Sequence, residues 1–511
     1  MENRRGLIIA GLMLLLVTLT AMAQDVRPYQ GCRRGTPRPQ STHLRRGAAL
    51  QGRMPGGDFY HGERHQLTVL VAYNDRSFKG DEAATMEQWN KIFNAENLSE
   101  APFGGSVHDY FYAQSYGDFN LVFDLQYVQV SGDAERYAST EKDDENSQYL
   151  VKDIMDVLKT RDIDWSLYDW NGNGYVNQLL IICAGHSMTD SGEKNLIWPH
   201  QWWLSEHQKD RQPDVYCEPF PVSARGKDYL VDCYCALAEM TANNDYGTFG
   251  TICHEYTHCF GFPDFYCNGK SYLAGWELMD YGNLNGYGFL PPGYSAHERW
   301  LMGWLTPIEL KEKTTVVNMP ALADAGRAYL IRNDGYENEY YIVENRQQKG
   351  WDACLPGNGI VVFHIDYSPS IWTSIQEYPN HPGYFDNSGK LVSPAITRYI
   401  IVAANNLSAP YYPLSSYFSG FTYPYDGNDE LTNTSIPAAT LNHVNSDGTL
   451  LMNKPLTQMA VTDGLASFHF MDDLAAVTQT TSETAAPQPI YRLGPVTFLR
   501  YPDGTVRKQI K

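Results

Sequence analysis

His254, Glu255 and His258 stand in the order H-E-x-x-H within the segment TICHEYTHCFGFPDFY (251–266). On a helix the two histidines fall one turn apart on one face, close enough for both imidazoles to reach one metal ion. Glu255 is rotated from them by a single residue and can reach a water on that metal. Zinc lowers the pKa of its bound water towards neutrality, and a neighbouring carboxylate can take the proton as the water attacks a carbonyl. Gly261 follows where the helix must stop, because glycine accepts the left-handed backbone such a turn needs. Pro263 reinforces the break, and Asp264 falls where a chain that has turned back can offer a third ligand. The whole reads H-E-x-x-H-x-x-G-x-x-D. A helix with two structural histidines is the competing reading, and it leaves that continuation unexplained.

A second segment, WELMDYG (276–282), resembles a Met-turn, with Met279 as the floor of the metal site and Tyr281 within reach of the oxyanion. An ordinary core role serves Tyr281 equally well. Glu277 lies at a separation from His258 where another large class of zinc peptidases places a glutamate ligand, so it rivals Asp264. The turn at Gly261 favours Asp264. Asp169, Asn171 and Asn173 alternate as acceptors, with Gly174 for a sharp turn and the Tyr175 carbonyl next, like the first half of a calcium loop. Leu180 occupies the place of the closing glutamate, and a plain Asn-Gly turn explains the same residues. Asp162 or Asp164 would supply further oxygens. Other residues carry less. Cys32 is a candidate latency thiolate, although its surroundings (GCRRG) match no switch pattern and a disulfide or idle thiol is the better reading. His200 and His364 read as packed or hydrogen-bonded. Cys253 and Cys259 are turned away from the histidine face, as core or disulfide residues.

The elements that must position this site alternate strand and helix to about residue 260. Gln66 to Tyr73 is an apolar run with the look of a buried strand, and Ala84 to Asn94 has helical spacing. Ser106 caps a helix running to Tyr116. Phe119 to Val130 alternates as a strand, Tyr149 to Lys159 is an amphipathic helix, and Val176 to Ile182 reads as another strand. This indicates an α/β domain. From about Thr306 the texture changes to short β-rich segments, including 328–331, 340–344 and 359–365, separated by Gly, Pro and Asn turns. The expected division is a leader over 1–23, a pro-segment or lead-in over 24–60, a catalytic domain over 61–305, a β-rich domain over 306–473, and a linker and tail over 474–511.

The leader rests on Arg4 and Arg5, the apolar run Leu7 to Leu19, and Ala21 and Ala23 in the small-x-small pattern before Gln24. That run is too short to span a bilayer comfortably. A cleaved signal, export and no transmembrane anchor in the mature chain are therefore expected. With 39 basic and 59 acidic residues the formal charge is −20, which disfavours nucleic acid and anionic membrane as partners. An exported chain with nine cysteines should pair some of them and leave at least one over.

The chain resembles the immune inhibitor A family of secreted bacterial metallopeptidases over roughly Gln66 to Asp473. Beyond the zinc motif, the resemblance is carried by SVHDYFYAQSYG (106–117), YDWNGNGYVN (168–177), IWPHQ (197–201), ERWLMGWLTP (298–307), YYIVENRQ (340–347) and GIVVFHID (359–366). It implies a metzincin-like catalytic domain, export as a zymogen, zinc hydrolysis of peptide bonds, and often bound calcium, so that with the texture beyond Thr306 the expected fold is an α/β (α+β) metzincin-like zinc peptidase domain followed by a β-rich C-terminal domain. It also implies His254, His258 and Asp264 as zinc ligands and Glu255 as general base. Family members usually have Asp where this chain has Glu277. The expectation is a secreted, monomeric zinc endopeptidase acting on protein or peptide substrates, with Zn2+ and a candidate Ca2+. Two other functions compete with it. A zinc aminopeptidase would need Glu277 at the metal, and a catalytically idle surface binding protein would have no use for Glu255.

Overall fold

The computed structural model describes residues 60–472, apart from 139–145, 192–194, 208–217, 242–243, 247, 268, 373–377, 386–390, 394 and 408–415, together with three strands beyond residue 487. The leader, the lead-in up to residue 59 with Cys32, and residues 473–487, which hold most of the Thr/Ser/Ala/Pro linker expected over 478–489, lie outside the described residues.

The first half is built on a five-stranded sheet. Its strands are β1 (Gly62–Ala72), β2 (Phe119–Gln129), β3 (Leu179–His186), β4 (His200–Trp203) and β5 (Cys233–Met240), in the order β2-β1-β3-β5-β4. The first four in that order run parallel, and β4 alone is antiparallel to its neighbour. A strand covered on both faces reads as a nearly continuous apolar run, and in β1 the stretch 67–72 is interrupted only by the buried Thr68. Successive residues of β1 still serve opposite faces. Leu70 and Ala72 enter one core with α1 (Glu82–Asn94), α2 (Val107–Gln114) and the metal-motif helix α4 (Phe249–Cys259). Leu67, Val69 and Val71 enter a second core with α3 (Ser147–Leu158). Ser106 caps α2 through a reciprocal bond with Asp109, as its position before VHDY leads one to expect.

The stretch 176–182 expected as one strand is interrupted. Tyr175–Val176 joins a small separate sheet with Phe220–Ala224 and Lys227–Val231, and β3 begins only at Leu179. Between them Gln178 is buried, and its carbonyl accepts a bond from Gln66.

Beyond residue 305, β6 (Ala328–Arg332), β7 (Glu339–Arg346), β8 (Gly359–Asp366) and β9 (Tyr399–Ile401) form a second five-stranded sheet with the short strand Ile308–Glu309. Alternate residues again part company. Leu330, Ile342, Val361, Phe363 and Ile365 join the core that holds α4. Tyr329, Ile331, Tyr341, Val343 and Val362 face a three-stranded sheet made from 314–319, 456–462 and 465–470. The change of texture at Thr306 is thus a change of element type, and the apolar packing runs straight through it. A three-stranded antiparallel sheet (Gln488–Leu493, Val496–Arg500, Val506–Ile510) closes the chain.

Cys183, Cys233, Cys235, Cys253, Cys259 and Cys354 are free thiols, so the pairing expected of an exported chain is not found among these six. Cys183, Cys235 and Cys253 are buried, where a thiol packs as a small hydrophobe.

Candidate metal centre

Helix α4 is buried apart from the half-buried Thr251 and Cys259, and its two faces do different work. Ile252, Cys253, Tyr256 and the following Phe260 point into the shared core at helical spacing. His254, Glu255 and His258 occupy the opposite side and are also buried. Their ring or carboxylate atoms can be chosen to lie within 4.8 Å of one another. The imidazoles stand 5.0 Å apart between centroids, nearly perpendicular.

Each ring is held from behind. His254 Nδ1 donates to the Leu278 carbonyl at 2.8 Å, and His258 Nδ1 donates to the Phe262 carbonyl at 2.8 Å. A carbonyl only accepts, so Nδ1 carries a proton, and the tautomer with its single proton there turns the Nε2 lone pair to the front. Such outer bonds are what a metal-binding histidine uses to fix its tautomer and orientation.

The chain then turns at Gly261, whose φ of +101° lies in the region that favours glycine. The turn delivers Asp264, whose Oδ1 stands 3.2 Å from His254 Nε2 and 3.3 Å from His258 Nε2. Ligands at zinc distances in a tetrahedral arrangement are separated by roughly 3.3 Å, so these spacings suit one shared ion. His258 Nε2 and Asp264 Oδ1 are buried and neither makes a hydrogen bond, so both are open to a metal. Glu255 Oε2 is 3.8 Å from His258 Nε2, beside the ligand atoms. The residues present therefore fit a divalent metal.

Electrostatics agree. Burial opposes charge on Asp264, yet His258 and His254 hold its carboxyl well below the usual carboxylate range. Burial also opposes charge on His254, and Asp264 and Glu255 nevertheless push it up. The centre is a negative pocket that draws positive charge.

The segment 276–282 lies immediately behind. Its Leu278 carbonyl steadies His254, and its Met279 carbonyl accepts the Phe265 N–H at 2.8 Å, next to Asp264. Met279 is fully buried. Asp280, which the sequence reading passed over, accepts the N–H groups of Tyr272 and Leu273 at 2.8 Å each, and burial pushes its carboxyl up to about 7. The Glu277 carboxyl faces elsewhere. It accepts the Met279 N–H at 3.3 Å, lies 3.5 Å from the Tyr399 hydroxyl oxygen, and shares a buried site with Glu298. The carboxylate brought to the histidines is that of Asp264. Tyr281 donates its hydroxyl to the Gly269 carbonyl at 3.1 Å. Its ring packs on Tyr266 at 5.7 Å, and Tyr266 in turn stacks on His254 at 6.4 Å. Tyr281 is thus one aromatic layer further out than Tyr266, which the sequence reading also passed over although it lies just beyond Asp264.

The candidate calcium loop folds onto itself. Asp169 accepts the N–H groups of Asn173 and Gly174 at 3.0 Å each. Asn171 accepts from Asn173 at 3.2 Å, and Asn173 accepts from Tyr175 at 2.9 Å. These oxygens satisfy the turn itself, as an Asn-Gly turn does. Asp164 pairs with Arg225 and caps Ser166, and Asp162 is exposed. His200 is bonded to Trp198 and Tyr234, and His364 to Glu339. Cys253 is in the core, and Cys259 lies against Gln178.

Residues 66–301 match the family model described as the immune inhibitor A peptidase M6, catalytic domain. Those residues belong to the immune inhibitor A peptidase family. The matched span contains the motif helix, Asp264 and the 276–282 segment, so a metallopeptidase domain and a metal at its site follow from the family together with the buried His-Glu-His group. A search of curated proteins finds no match. No helix among the described residues is long and apolar enough to cross a membrane.

Proposed function

We propose that this M6-family peptidase is an exported zinc endopeptidase in which His254, His258 and Asp264 hold the metal and Glu255 is the general base. The observation that carries this reading is Asp264 Oδ1 lying 3.2 and 3.3 Å from the two Nε2 atoms. Zinc bound there would polarise the scissile carbonyl and make water acidic enough to be deprotonated near neutral pH.

The chain's own residues do the rest. Nδ1 bonds to Leu278 and Phe262 hold both imidazoles in orientation, with Nε2 aimed at the metal position. Glu255, next to His254 on the helix and dry, takes the proton of the attacking water and passes it to the leaving amine nitrogen. Tyr281 is the proposed donor to the oxyanion of the tetrahedral intermediate, for which its hydroxyl must leave Gly269. A sheet with one antiparallel strand beside the motif helix supports a metzincin-like catalytic domain. Export rests on the leader pattern over 1–23, and latency on the lead-in over 24–60. Calcium has no part in the proposal, because the side-chain oxygens of Asp169, Asn171 and Asn173 accept the N–H groups of their own turn. The aminopeptidase alternative needs Glu277 at the metal, and that carboxyl is turned to Met279 and Tyr399.

Replacing Glu255 by Gln tests the assignment. The variant is expected to retain zinc and to lose on the order of a hundredfold or more in kcat/KM on a peptide substrate. Undiminished turnover would remove Glu255 as the base.

A further inference from the structure

Asp264 is the ligand supplied by a loop rather than a helix, so something must hold that loop. The next residue, Phe265, is fixed at both backbone polar groups. Its N–H goes to the Met279 carbonyl at 2.8 Å, within the catalytic segment. Its carbonyl accepts Nδ2 of Asn380 at 3.1 Å, and Asn380 comes from the β-rich half of the chain. Asn380 is wholly buried and uses its amide completely. Nδ2 also donates to the Tyr399 carbonyl at 2.7 Å, and Oδ1 accepts the Tyr399 N–H at 3.0 Å. Tyr399 lies in β9 of the second sheet, its ring meets that of Phe265 edge-on at 4.5 Å, and its hydroxyl donates to Ser295 Oγ at 2.7 Å.

We propose that Asn380 is a positioning residue for the metal: it ties the loop carrying Asp264 to the second sheet and thereby sets the geometry of the third ligand. This rests on the zinc reading above. The chemistry needs an amide at that place. The two carbonyls of Phe265 and Tyr399 both require a donor, and the Tyr399 N–H requires an acceptor, a combination that only Asn or Gln offers in one side chain. Loss of the donor leaves the Phe265 carbonyl buried without its partner and releases the loop on the side away from Met279. Residues supporting metal ligands from behind typically change affinity by about 10–100-fold when removed.

The test measures zinc affinity of the full chain by competition with a chromophoric chelator, alongside the thermal midpoint of the metal-stripped protein. Asn380→Ala and the isosteric Asn380→Asp are compared with Asn345→Ala. Asn345 is an equally buried amide of the second sheet that bridges the Met319 and Gly464 carbonyls and makes no contact with the loop. Both Asn380 variants are expected to bind zinc at least about tenfold more weakly. Excess zinc should then restore much of their kcat. Asn345→Ala should lower the midpoint and leave zinc affinity unchanged. Asn380→Asp keeps the packing volume, so it reads the lost donor even if the alanine variant folds poorly. Unchanged affinity in the Asn380 variants, or an equal loss in Asn345→Ala, overturns the proposal while leaving the zinc assignment intact. Failure of the parent chain to bind zinc at all overturns both.

Discussion

At the scale of single residues, two acids near the motif have opposite fates. Asp264 is ionised between two histidines, and Glu277 is a buried acid beside a second one, Glu298. Burial pushes Glu277 well up, with Glu298 adding to the shift and Arg346 only partly opposing it. Burial likewise raises Glu298, to about 7. Both folded values exceed the ordinary unfolded one of about 4.3, so the native state holds protons that the unfolded chain releases. Stability from this pair is therefore complete below about pH 4 and is lost as pH rises towards 7 and beyond. Glu277→Gln should flatten that decline, seen as a smaller fall in thermal midpoint of the metal-free protein between acid and mildly alkaline buffer. The same variant should keep its zinc affinity, whereas Asp264→Asn should weaken it by more than the roughly 10–100-fold typical of an outer-sphere change. Equal zinc loss in the two would restore Glu277 as a ligand. The histidines, Glu255 and Asp264 were legible because a helical repeat and one glycine turn place them within eleven positions of each other. Glu298 and Asn380 were not, since their contacts span long separations and have no local period.

At the scale of elements, the site depends on a helix that ends on time. Phe260 N–H and Gly261 N–H bond back to Thr257 and His258 carbonyls, and the positive φ of Gly261 then swings the chain towards Asp264. Gly261→Ala should cost about 1–3 kcal/mol, the range for a residue forced into a sparsely populated backbone region. Chemical denaturation of the metal-free protein measures this, and a cost near zero would mean that the turn is not strained by a Cβ. Strands buried on both faces announced themselves as apolar runs, as β1 did. The break between Tyr175–Val176 and β3 did not, because only two residues separate the pieces, the half-buried Asn177 and the buried Gln178, and the strand-like pattern runs on across them.

At the scale of the whole molecule, sequence texture suggested two units meeting near residue 305, and the packing joins them. The face of the second sheet bearing Leu330, Ile342, Val361 and Phe363 shares a core with Ile252, Cys253 and Tyr256 of the metal helix. Buried polar groups also cross that line, with Arg346 bonded to the Gly293 carbonyl and Glu344 to the Ala296 N–H. A chain ended at residue 305 would expose this apolar face. It is expected to be insoluble or to bind zinc far more weakly than the full chain, and the full chain is expected to unfold in one cooperative transition by calorimetry. Two separated transitions, or a soluble zinc-binding truncation, would show that the halves stand alone.

Everything proposed for the site turns on metal-dependent peptide hydrolysis at His254, His258 and Asp264. Its most direct measurement is cleavage of unfolded, quenched-fluorescent casein by the purified chain trimmed of the residues before about His61, with and without a zinc chelator. Activity that the chelator abolishes and added zinc restores is expected. Cleavage that persists after zinc has been stripped, or no cleavage by a chain shown to hold zinc, would contradict it.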